Sequence, residues 1–102
     1  MSKFQIYRTD TANDQITEII RYVAADGREV ALACLERLEE QIKTLETFPV
    51  VGAQPRYAAL RRQGYRFLKS DRWLVFYKVF DKEKKVIVYA VLDAARDYLN
   101  LL

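Results

Sequence analysis

Residues 3–8, Lys3-Phe4-Gln5-Ile6-Tyr7-Arg8, alternate apolar and polar side chains and predict a short strand. Asp10 and Thr11 then offer N-cap oxygens, with Thr11 and Asp14 approximating a capping box. Ala12, Ile16, Ile19, Ile20 and Val23 follow at helical spacing and place one apolar stripe on a helix that Asp26-Gly27 breaks. A second helix is predicted over 28–46. Ala31, Leu35, Leu38, Ile42 and Leu45 share one face, charged residues fill the other, and Pro49 ends it. The short loop between the helices makes them antiparallel neighbours. Cys34 falls among the apolar positions and reads as a small core residue.

After an irregular stretch over 50–63, with room for a helical turn at 56–62, the period changes to that of strands. Residues 65–69 and 72–80 predict a hairpin turning at Ser70-Asp71, and 86–92 a third strand beyond a charged loop at 81–85. The stretch 72–80 is aromatic and β-branched on both phases, as a central strand is. The tail from Asp93 has room only for a helical turn. The expected fold is therefore α+β, in the order β-α-α-β-β-β: an antiparallel sheet packed against an N-terminal helical hairpin. Its other face and the basic loop are left available for partners. A single domain over 1–102 fits the length.

Composition narrows the chemistry. No apolar run approaches the roughly 20 residues that span a bilayer, and no apolar stretch follows the charged N-terminus, so a cytoplasmic location is expected. There is no histidine, and Cys34 is the single cysteine. No metal and no cofactor are expected, and histidine-based catalysis is excluded. The net charge of +3 is unevenly spread. Residues 1–52 carry net −3, residues 53–72 net +5, and residues 73–102 net +1. Arg56, Arg61, Arg62 and Lys69 in that basic segment are candidates for contact with an anionic partner.

The segments "ITEIIRYVA", "LETFPVVG", "GYRFLKSDRWLVFYKV" and "VIVYAVLDAARDYLNLL" together resemble the RelE/ParE toxin superfamily over essentially the whole chain. The resemblance implies the toxin of a bacterial type II toxin–antitoxin pair, with a cognate antitoxin as partner. RelE-like members act on ribosomes and cut mRNA; ParE-like members poison DNA gyrase without nuclease activity. Metal-independent RNA cleavage needs a base for the 2′-OH, stabilisation of the phosphorane and an acid for the leaving oxygen. By resemblance, Arg66, Arg72 and Arg96 match arginines that would converge on a phosphate. Tyr98 is the candidate acid or base, with Tyr77 and Tyr65 behind it. Arg66 and Arg72 have the alternative of pairing with Asp71 or Asp81. RelE-like nucleases commonly end in Tyr or His, whereas this chain ends in Leu101-Leu102.

These residues place the ribosome-dependent endoribonuclease slightly ahead of the gyrase poison. A third reading is a non-toxic nucleic-acid-binding module using Tyr57, Tyr65, Phe67 and Trp73 as stacking platforms. Leu99, Leu101 and Leu102 form an apolar tail expected to meet an acidic, amphipathic antitoxin segment.

Overall fold

The computed structural model describes residues 3–99 and Leu102. The elements run β1 (Gln5–Arg8), α1 (Asp10–Ala24), α2 (Arg28–Thr44), α3 (Ala58–Arg62), β2 (Arg66–Ser70), β3 (Trp73–Phe80) and β4 (Lys85–Asp93). The cap of α1 is Thr9, one residue before the expected pair. Its Oγ1 accepts the Ala12 N–H at 3.0 Å and donates to the Tyr89 carbonyl at 3.1 Å, fixing the helix start on β4. Between the helices, Gly27 takes φ 126, a conformation that glycine adopts without a Cβ clash.

The sheet order is β1-β4-β3-β2. The expected antiparallel sheet holds for β2, β3 and β4, while β1 adds to β4 in parallel, Gln5 to Arg8 against Lys85 to Val88. A parallel partner needs a long crossover, and the helical hairpin with α3, β2 and β3 supplies it. On β3 and β4 the register jumps between Phe76 and Tyr77: Phe76 faces Ala90, Tyr77 faces Val88, and Tyr89 is the extra residue of a β-bulge.

The first five residues of β3, Trp73 to Tyr77, are buried on both faces. Trp73, Val75 and Tyr77 pack with Ile16, Leu38 and Ile42 of the helical hairpin, and Cys34 lies in that same core. Leu74 and Phe76 point the other way and pack with Leu60, Tyr65, Ala90, Leu92 and Tyr98. The second face is thus only partly free, contrary to expectation. α3 and the chain after β4 cover its half beside Leu74 and Phe76. A sheet whose central strand is apolar on both phases has to be covered on both sides.

Gly52 locks the loop after α2 onto this frame. Its N–H donates to the Tyr77 hydroxyl at 2.9 Å, and Ala53 exchanges two backbone hydrogen bonds with Phe67, both 2.9 Å. A Cβ on Gly52 would lie 2.4 Å from the Tyr77 oxygen and 2.8 Å from the Phe67 carbonyl oxygen. Gly52→Ala is therefore expected to destabilise by about 1–3 kcal/mol through overpacking. Tyr77→Phe, which leaves the Gly52 N–H buried without an acceptor, is expected to cost about 1–3 kcal/mol. Urea unfolding of the two variants measures both, and an unchanged midpoint for Gly52→Ala would contradict the packing described.

Candidate functional site

The three arginines assigned to a common phosphate do not meet. Arg66 opens β2 and Arg72 lies past its far end, so the five-residue strand alone separates them by about 13 Å at 3.3 Å per residue. Arg66 pairs across the hairpin with Tyr77, and its Nη1 donates to the carbonyls of Gly52 (3.0 Å) and Val50 (3.3 Å). It is a strut for the loop that carries the exposed side chains of Phe48, Val50 and Val51.

Arg72 and Arg96 do share a site. They line a cleft of about 400 Å³ between α1 and the ends of β3 and β4, with Gln15, Ile19, Tyr22, Trp73 and Asp93 among its walls. Arg72 bonds Asp93, and its guanidinium lies over the rings of Trp73 (5.1 Å) and Tyr22 (5.7 Å). The Ala95 N–H and then the Arg72 guanidinium hold the Asp93 carboxyl below the usual carboxylate range. Asp71, expected as a partner of Arg66 or Arg72, instead takes Arg37 of α2 at 2.7 Å. Both side chains of that pair are about half exposed, so solvent screens it and it adds little to stability.

Tyr98, the candidate acid or base, is buried, with its ring 4.8 Å from that of Phe76 and 5.3 Å edge-on to Tyr57. Burial pushes the phenols of Tyr77 and Tyr65 up, the wrong direction for a base at neutral pH. Beside Tyr98, Arg56 donates to the Tyr57 hydroxyl and Tyr57 donates to Asp97, both at 2.9 Å. That bond, followed by the Leu99 N–H, lowers the Asp97 carboxyl pKa.

Of the other basic candidates, Arg61 donates to the carbonyls of Pro55 (2.8 Å) and Arg56 (2.7 Å), closing the loop before α3. Arg62 and Lys69 are exposed. Tyr57, Tyr65 and Phe67, suggested as stacking platforms, belong to the second core, and Trp73 to the first. Leu99 and Leu102 pack half-buried against the second core; Leu101 lies outside the described residues. Sequence reasoning missed Tyr22, which lies off the apolar stripe of α1 and is 62% exposed at the cleft. An aromatic on the polar side of an amphipathic helix was the signal available.

The family model for the ParE toxin of type II toxin–antitoxin systems matches residues 6–98. No curated protein matches by sequence. Among solved structures, a chain of the chromosomal ParDE toxin–antitoxin system from P. aeruginosa is similar, with a TM-score of 0.73 and 19% identity over 89% of this chain and 96% of that one. A chain of the RelBE2 toxin–antitoxin complex from Mycobacterium tuberculosis is also similar, with a TM-score of 0.62 and 16% identity over 94% and 97%. At these identities the two structures speak for the fold. Among the described residues no helix is long and apolar enough to cross a membrane.

The Asp93 site gives a pH prediction. Its folded pKa lies below the ordinary value, so its contribution to stability is present above that value and is lost as pH falls through the folded one. Arg72→Met should raise the Asp93 pKa only part of the way, because the Ala95 N–H remains at 2.9 Å. Carboxyl NMR titration reads this directly. No movement of the Asp93 curve in the variant would mean that the guanidinium does not hold the carboxylate.

Proposed function

The chain belongs to the ParE toxin family of type II toxin–antitoxin systems, within the RelE/ParE superfamily, and from that premise we propose that it acts by binding, as a poison of DNA gyrase, and does not cut RNA. The observation that carries this reading is the burial of Tyr98 in the second core while Arg66 braces a loop at the opposite end of β2 from Arg72. RNA cleavage needs an acid or base and a phosphate-holding cation around one scissile bond. The sequence candidates for these roles are dispersed. A poison that stabilises an enzyme–DNA intermediate needs a charged, shaped surface and no proton transfer.

The toxin unit in this reading is one domain over 1–102, with no metal or cofactor taking part. Its cognate antitoxin is an acidic, amphipathic chain. Leu99 and Leu102 already pack on the second core, so an antitoxin reaches the tail by displacing it or by covering it in place. Exposed Arg62 and Lys69, with Arg96 at the cleft, supply positive charge on the toxin side.

The test is a paired assay on the purified chain freed of antitoxin, given gyrase with supercoiled plasmid and, separately, ribosomes programmed with a defined mRNA. Trapped gyrase–DNA cleavage complexes with intact mRNA are expected. Cuts on the ribosome without trapped gyrase would overturn the proposal and return the chain to the endoribonuclease reading. Growth arrest on expression should survive Tyr98→Phe, which keeps the ring packing and removes the hydroxyl. A loss of toxicity in that variant, at unchanged stability, would restore a chemical role for the phenol.

A further inference from the structure

The half of the sheet that α3 and the C-terminal segment leave uncovered has a composition of its own. Register places Tyr7, Ile87 and Lys78 in one row across β1, β4 and β3, and Tyr65, the residue before Arg66, continues it past β3. The next row holds Gln5, Lys85 and Phe80. All of these lie opposite the helix-facing Ile6, Val86, Val88 and Val79. Tyr89, two residues after Ile87, lies on the same face and packs against the second core.

Aromatic rings and ammonium groups interleave on this surface. The Lys78 Nζ lies 4.5 Å from the Tyr65 ring centre and 5.2 Å from that of Tyr89, with the two rings edge-on at 5.7 Å. The Lys85 Nζ lies 5.5 Å from the Phe80 ring. Tyr7 is 52% exposed, and Tyr89, Phe80, Lys78 and Lys85 are partly exposed. Among the described residues the four strands carry one carboxylate, Asp93, which faces the Arg72 cleft at the other end of β4.

We infer that this open half-sheet is a binding surface for single-stranded nucleic acid, with bases on the rings of Tyr7 and Tyr89 and phosphates at Lys78 and Lys85. Strand-borne aromatics on a four-stranded sheet offer flat surfaces to about two or three unstacked bases, and lysines beside them track the backbone. A base pair in a duplex hides the faces that these rings would meet, so single strands are selected over duplex. An acidic peptide would use the lysines and leave the rings idle. The surface is independent of whether gyrase is the target, and its test needs no gyrase.

The test is fluorescence anisotropy of the full chain, freed of antitoxin, with labelled dT12 and rU12 as separate arms, at low salt and then along a salt series. Binding of at least one strand is expected, with log K falling against log salt at a slope of roughly −1.4 for two phosphates neutralised. Tyr7→Ala should weaken it about fivefold or more while Tyr7→Phe retains it. Lys78→Gln and Lys85→Gln should each flatten the slope by roughly 0.7, and Arg21→Ala on α1 should change nothing. The inference is overturned by no binding of either strand, by binding that Tyr7→Ala and both lysine variants leave intact, or by equal affinity for a duplex or a poly-glutamate peptide. Tyr7 is exposed on an edge strand, and Tyr7→Phe with the two lysine variants keeps the result readable if Tyr7→Ala folds poorly.

Discussion

Burial of the first five residues of β3 on both faces is the constraint from which the other parts of this molecule follow. Trp73, Val75 and Tyr77 require one apolar layer, and Leu74 and Phe76 require another. The helical hairpin meets the first need. The second falls to short pieces of chain, α3 with its flanking Tyr57 and Tyr65 and the segment ending in Tyr98 and Leu99. These pieces have little regular hydrogen bonding of their own and hold by ring packing and by the Arg56–Tyr57–Asp97 relay. Truncating a buried aromatic costs about 3–5 kcal/mol, a large share of the roughly 5–15 kcal/mol by which a domain is stable.

The same demand explains where the basic charge sits. Half of the segment 53–72 lies outside α3 and β2, and loop carbonyls lack the partners that helices and ladders provide. Arg61 and Arg66 each bridge two such carbonyls. A guanidinium bonded to carbonyls remains a net cation, unlike one bonded to a carboxylate, so a structural arginine still contributes to the positive field of the surface. Arg72 is the contrasting case, neutralised locally by Asp93. Net charge along the sequence therefore could not say which members of the basic segment are free to hold a partner.

Most of the fold was legible. Both helices, the short turn at α3, the β2–β3 hairpin and β4 fall within a few residues of where periodicity put them, because each has a clear period and a clean break. Two features had no local signal. The parallel pairing of β1 with β4 joins residues 80 positions apart in the chain, and the bulge at Tyr89 hides inside the apolar run Val86 to Leu92. That bulge switches the parity of β4: Val86 and Val88 face the helices before it, and Val91 does so after it. A strict alternation over 86–92 puts one half of the strand on the wrong face. The candidate site was less legible than the fold. Arg66 and Arg96 look equivalent in sequence, and only the path of β2 and the burial around Tyr98 distinguish a brace from a cleft residue.

The open half-sheet can be weighed against the ordinary uses of polar residues on sheets. Lysines on exposed strands commonly guard an edge against pairing with another chain. Lys78 cannot serve that purpose, because β3 is flanked by β2 and β4. Nor does a solubilising role account for its neighbour Tyr89, which is partly exposed and adds apolar area where a polar residue would keep the face wet. Tyr7 continues the same row onto β1, in the exposed phase of its strand that it shares with Gln5. An ammonium held over aromatic rings has lost part of its long side chain's conformational freedom. It therefore presents an ordered cation beside flat apolar surface, and that pairing matches a ligand made of flat bases on an anionic chain more closely than it matches water.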